Sequence, residues 1–154
     1  MNENEYRTAY HGLNPNRCVY EKSILTQSCQ CQYANRINIA EREGIACNDK
    51  AALQQCSEFL SHLRQHASFA LKMTQIVGNL LPHSKEVQVQ KGGLVGLIPG
   101  LPNTRESEIN SIHHLINEAA ESCDQNFEDY PYRNLIPSIS HHLVVRRSRK
   151  KSRK

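Results

Sequence analysis

The clearest periodic signal in the chain begins at Asp49. Apolar or small side chains recur at Leu53, Cys56, Leu60, Leu63, Ala67, Ala70, Thr74 and Val77 in steps of three and four. That spacing puts one stripe on one face of an α-helix, and Phe59 and Leu71 widen it. Asp49 is a good N-cap, Gly78-Asn79 supplies a stop, and Pro82 follows. The pattern predicts a helix over about 50–77, much longer than the average of about 11–12 residues. It is the expected spine of the fold.

A second amphipathic helix is expected over about 104–123. Its apolar positions are Ile109, Ile112, Ile116, Ala119, Ala120 and Cys123, and Asn103 with Glu106 forms a capping box ahead of them. Residues 32–46 also read as helical, with Arg36, Glu41, Arg42 and Glu43 on a charged face and Ile37, Ala40 and Ile45 turned inward. Glu86-Val-Gln-Val-Gln90 alternates with period two, Gly92-Gly93 marks a turn, and Leu94–Ile98 can return. Residues 86–98 therefore read as a short β-hairpin or as an ordered apolar loop on the long helix. Tyr130-Pro131-Tyr132 and Pro137 make 125–140 irregular, with at most one helical turn. The fold class expected is mostly α: a small helical domain around the long helix. Residues 1–17 form an irregular leader, 18–143 a single domain and 144–154 a disordered basic tail.

Charge changes this picture at one end only. The net charge of +4 over 154 residues is concentrated in Arg146, Arg147, Arg149, Lys150, Lys151, Arg153 and Lys154. Removing these seven from 19 Lys and Arg leaves 12 basic against 15 acidic residues, a net of −3. Such a tail suits non-specific contact with nucleic acid or another polyanion by counterion release. It carries no aromatic residue for base stacking. A solubilising tail, a tether to an acidic partner and a nuclear localisation signal match the same run. Phosphorylation of Ser148 or Ser152 would weaken anion binding there.

The candidate chemistry is sulfur. Five of six cysteines fall in C-x10-C-x-C-x15-C-x8-C: Cys18, Cys29, Cys31, Cys47 and Cys56, with Cys123 apart. No run of about 18 apolar residues suggests a membrane span, and the polar N-terminus carries no secretory leader. A cytoplasmic location is expected, where thiols stay reduced and gathered cysteines favour metal over disulfide. Cys29 and Cys31, two apart, would point to one side of an extended backbone. With Cys47 and Cys18 they make the expected ligand set. Cys56, on the apolar stripe of the long helix, reads first as a core residue and last as a ligand. Without any C-x2-C knuckle, the spacing leans to an iron–sulfur cluster over zinc. A metal-free reading is reduced core cysteines, or a redox pair of Cys29 and Cys31.

His62 and His66, spaced i, i+4, are expected on the solvent side of the long helix. His113-His114 and His141-His142 are expected to be solvated. No phosphate loop, dinucleotide fingerprint, G-x-S-x-G or H-E-x-x-H occurs. The expectation is therefore a cysteine-ligated protein with no recognisable catalytic motif: an electron carrier, redox sensor or accessory protein with a protein redox partner, where any catalytic role would run through a cluster. The alternatives are a nucleic-acid-associated protein with a structural zinc, and a metal-free helical interaction module.

Overall fold

The computed structural model describes residues 14–39, 41–71, 81–98 and 109–142. The leader before Asn14, the capping box at Asn103 and Glu106, and the basic tail lie outside the described residues. Those described form five helices and one hairpin: α1 (Glu21–Thr26), β1 (Ala34–Ile39), β2 (Arg42–Cys47), α2 (Lys50–Ala70), α3 (His83–Gly96), α4 (Ile112–Ser122) and α5 (Ile136–His141). The domain is mostly helical, as the periodicity predicts. None of these helices is long and apolar enough to cross a membrane.

α2 is the expected spine. Asp49 caps it, accepting the Ala52 amide at 2.9 Å. Cys56, Phe59, Leu60, Leu63 and Ala67 all turn into the core. The predicted continuation to Val77 lies mostly outside the described residues. α4 starts at Ile112, where Ser111 accepts the His114 amide. Beyond it, two 3-10 turns, Phe127–Asp129 and Tyr132–Asn134, lead into α5. They bring Phe127, Tyr130 and Tyr132 onto Phe59, with ring centroids 5.4–5.9 Å apart.

The hairpin is where a helix was expected, and a helix is where a hairpin was considered. Residues 34–47 form an antiparallel pair with Ala34 opposite Cys47 and Ile39 opposite Arg42. Arg36 and Glu43, read above as one helix face, form a diagonal cross-strand pair at 3.3 Å. A third segment completes the arrangement. The Cys18 amide donates to the Ile45 carbonyl at 2.9 Å, and the Cys47 amide to the Asn16 carbonyl at 2.8 Å. β2 is thus hydrogen-bonded on both edges, by partners that local periodicity does not reveal.

Residues 83–96, by contrast, are α-helical. From Glu86 to Val95 only Gln88 is not fully buried. A helix covered on every side shows no amphipathic stripe, and Val87 with Val89 then imitates strand alternation. Gly92 and Gly93 do not turn the chain; they allow close packing. A Cβ on Gly92 would lie 2.7 Å from the Cα of Ile139 in α5, and one on Gly93 would lie 2.4 Å from Leu63 Cδ2 in α2.

The buried polar groups of α3 are partnered. Glu86 takes Arg64 of α2 through Nε at 2.9 Å and Nη2 at 2.8 Å. Gln90 donates to Glu86 at 2.6 Å and to the Val19 carbonyl at 3.1 Å, and accepts from Ser23 at 2.7 Å. Lys91, 2% exposed, donates to the Gln27 carbonyl at 2.6 Å. These bonds fasten the segment between Cys18 and Cys29 to the middle of the fold.

Candidate metal centre

All six cysteines are free thiols. Four of them come from separate pieces of backbone that the fold gathers. Cys18 ends the short segment paired to β2. Cys31 opens the turn into β1, its carbonyl accepting the Ala34 amide at 3.0 Å. Because Ala34 faces Cys47 across the hairpin, that turn is carried to the end of β2. Asp49 then starts α2 at once, and Cys56 follows two turns into it, facing inward. The Asn48 amide on the Tyr33 carbonyl, 2.9 Å, closes the corner.

The thiols are also coupled electrostatically. Burial foremost, with the charges of Cys31 and Cys47 acting in the same direction, brings the Cys18 thiol up to about 12. Burial also dominates at Cys47, with Cys31 adding to it. Cys56 is raised most, by burial and then by Cys18, Cys31 and Cys47. Every pair among Cys18, Cys31, Cys47 and Cys56 is therefore close enough for one thiolate to oppose the other. Main-chain amides work against this repulsion: Tyr20 lowers Cys18, and Asp49 and Leu53 lower Cys47.

Cys29 belongs elsewhere. It is buried, donates weakly to the Gln27 carbonyl at 3.5 Å, and meets the Lys91 ammonium. Burial raises it to about 11 in spite of the opposing pull of Lys91. The same-side expectation for Cys29 and Cys31 does not hold, because Cys29 pairs with Ile109 in an isolated bridge while Cys31 enters a turn. Cys123 is also apart, bonded to the carbonyls of Ala119 and Ala120.

Among the described residues, no three Cys, His, Asp or Glu side chains stand so that they could hold a metal ion as placed. The four thiols thus influence one another without forming a group that holds a metal as placed. A residue that the cysteine spacing does not disclose stands beside them. Tyr20 is fully buried, and its hydroxyl has no hydrogen-bond partner among the described residues. Burial raises its pKa first, then the charges of Cys56 and Glu86.

The histidines take other roles. His66 and His62 both stack on Tyr132, at 4.5 and 5.8 Å, each tilted by 19°. His113 bonds Gln55 at 2.6 Å, and its pKa is lowered by burial. His114 is exposed beside Glu118, and His141 is exposed, as expected. His142 is buried, against expectation. An open polar depression of about 460 Å³ lies between α2 and α4, lined by Asp49, Gln55, His113 and Asn117 among others; no cysteine lines it.

No protein-family model matches the chain, and no curated protein and no solved structure matches it.

Proposed function

We propose that the chain is a small iron–sulfur protein whose cluster is held by Cys18, Cys31, Cys47 and Cys56. The observation that carries this reading is the mutual electrostatic influence of all four thiols. Relative to the sequence-based ranking, Cys56 moves up from last candidate and Cys29 leaves the set. An all-thiolate set suits either zinc or a cluster. A single zinc would draw four sulfurs to within about 3.8 Å of one another, given tetrahedral Zn–S bonds of about 2.3 Å. Among the described residues no three Cys, His, Asp or Glu side chains stand so that they could hold a metal ion as placed; the lean to a cluster rests on the absence of any C-x2-C knuckle in the sequence.

The cluster supplies one-electron transfer when bound. The protein's part is a partly buried sulfur environment, with Cys56 buried and Cys18, Cys31 and Cys47 half-buried, amides of Tyr20, Asp49 and Leu53 that favour thiolate, and the corner between hairpin and long helix. The chain then serves as an electron carrier or redox sensor for a protein partner, in a reducing cytoplasmic compartment. Its basic tail, Arg146 to Lys154, contributes a polyanion tether.

The test is anaerobic purification followed by an absorption spectrum and iron, sulfide and zinc analysis. Iron and sulfide in equal amounts, with sulfur-to-iron charge-transfer bands, are expected. A colourless protein without metal, whose stability chelator does not change, overturns the proposal. Zinc in place of iron overturns the cluster and leaves the four-cysteine site standing.

A further inference from the structure

We infer that the outer edge of β1 pairs antiparallel with the β1 edge of a second copy of this chain, the two hairpins forming one four-stranded sheet about a two-fold axis at Ile37. The inference does not depend on what the cysteines bind. β2 offers no such edge. Its Ile45 amide donates to Glu21 Oε2 at 2.7 Å, the Ile45 carbonyl accepts from Cys18, and the Cys47 amide is given to Asn16. In an antiparallel ladder, residues directly opposite each other turn their main-chain groups both toward the partner strand or both away from it. Arg36 faces Ile45, so Arg36, and Asn38 two residues on, point their N–H and C=O groups away from β2. Among the described residues nothing bonds these groups, and Asn35, Arg36 and Asn38 are exposed. Open edges are commonly blunted by proline, lysine, a bulge or a cover. β1 carries no proline, lysine or bulge, and its one charge, Arg36, is already held by Glu43 at 3.3 Å.

The side chains of the edge suit its own copy, in one register. A register centred on Asn35 or Arg36 requires the Ala34 amide, which already donates to Cys31, and the second of these sets guanidinium against guanidinium. One centred on Asn38 carries Arg36 past Ile39, where the other strand ends. Centred on Ile37, Arg36 of each copy faces Asn38 of the other, and their main-chain hydrogen bonds use every outward group of both residues. Ile37 then meets its counterpart as an apolar non-hydrogen-bonded pair, the closer kind. Strands about 4.8 Å apart place Arg36 about 10 Å across the sheet from Glu43 of the second copy, so each copy's cation lies in line with the other's carboxylate. An edge contact of this length buries less than the about 1,200 Å² of a stable interface. The pairing is therefore reversible and depends on concentration.

The test is sedimentation equilibrium of the full chain as purified. Wild type should rise from the monomer mass toward twice that mass between about 10 μM and about 1 mM. Asn38→Pro removes an outward N–H and leaves the β1–β2 bonds intact, and Ile37→Lys sets two like charges on the axis. Both variants should stay monomeric over the same range, with circular dichroism reporting their folding. Disulfide trapping reads the register without blocking it. Ile37→Cys brings two Cα atoms to about 4.5 Å, inside the disulfide range of about 4.4–6.8 Å, whereas Asn35→Cys leaves them about 14 Å apart. Mild oxidation and peptide mapping should find a link between the two copies at position 37 and none at position 35. Wild type that stays monomeric throughout overturns the inference, whether the edge is empty or takes another polypeptide. A dimer that persists in both folded variants, or equal trapping at positions 35 and 37, overturns it as well.

Discussion

Truncating Glu86 to alanine strands a guanidinium in the interior. The Glu86 side chain is 4% exposed and that of Arg64 is 19% exposed. Their bond is two-pronged, at 2.9 and 2.8 Å. An exposed ion pair contributes about 0–1 kcal/mol, whereas breaking a buried one costs about 3–5 kcal/mol because the remaining charge is left uncompensated. Arg64 can swing partly toward solvent, which places the loss near the lower end, about 3 kcal/mol. Gln90 loses one acceptor and keeps the Val19 carbonyl, so it adds little. At about 2–4 °C per kcal/mol for a chain of this size, the melting temperature should drop by about 6–12 °C. Thermal unfolding of the metal-free protein, followed by far-ultraviolet circular dichroism, measures this. The double replacement Arg64→Leu with Glu86→Leu should recover most of the loss, since it removes both charges and keeps the volume. A Glu86→Ala protein melting within about 2 °C of wild type would refute the reasoning, for the pair would then behave as if it stood in water.

Cys56→Ser should lose most of the bound iron and visible absorption, while Cys29→Ser should keep both and lose about 1 kcal/mol of stability from burying a hydroxyl beside Lys91; equal iron loss in the two would remove Cys56 from the ligand set. Gly92→Ala should destabilise by about 1–3 kcal/mol through overpacking against the Ile139 backbone, although helix propensity alone favours alanine by about 1 kcal/mol; a urea midpoint at or above wild type would contradict the close α3–α5 approach. The metal-free protein should lose stability above pH 9. Cys18 and Cys29 hold their protons to about 12 and 11 when folded, against 9.0 for a free thiol. Their stabilising contribution is therefore complete below pH 9 and is lost as pH rises toward those values, at up to about 1.4 kcal/mol per pH unit for each thiol. Urea midpoints from pH 8 to 11 test this, and a flat profile would mean that the thiols are solvated.

The long helix was legible because one of its faces is wet. Its cap, stripe and length follow from Asp49 and from apolar steps of three and four. The same stripe obscured the site. Cys56 sits among Leu53, Phe59 and Leu60 and so reads as core, and it is core, at 8% exposure. A buried position on that stripe remains compatible with the ligand role proposed for Cys56. Cys29 misled in the opposite way. Same-side projection at i, i+2 requires extended backbone through both residues, and the chain turns at Cys31 instead.

The hairpin and α3 show what a single chain pattern cannot carry. β2 is fixed by partners on both edges, one of them residues 16–18, and those hydrogen bonds span 27 and 31 residues of sequence. In α3 the positions that break the apolar run include Glu86, Gln90 and Lys91, of which Glu86 and Gln90 alternate like the polar face of a strand. They are buried because each has a partner: Arg64, then Ser23 and the Val19 carbonyl, then the Gln27 carbonyl. Three of those four partners lie between Cys18 and Cys29. An apolar α3 would pack against α2 and α5 equally well and leave that segment without specific attachment. The polar residues that hide the helix from its sequence are thus the ones that hold the cysteine-bearing segment against the core.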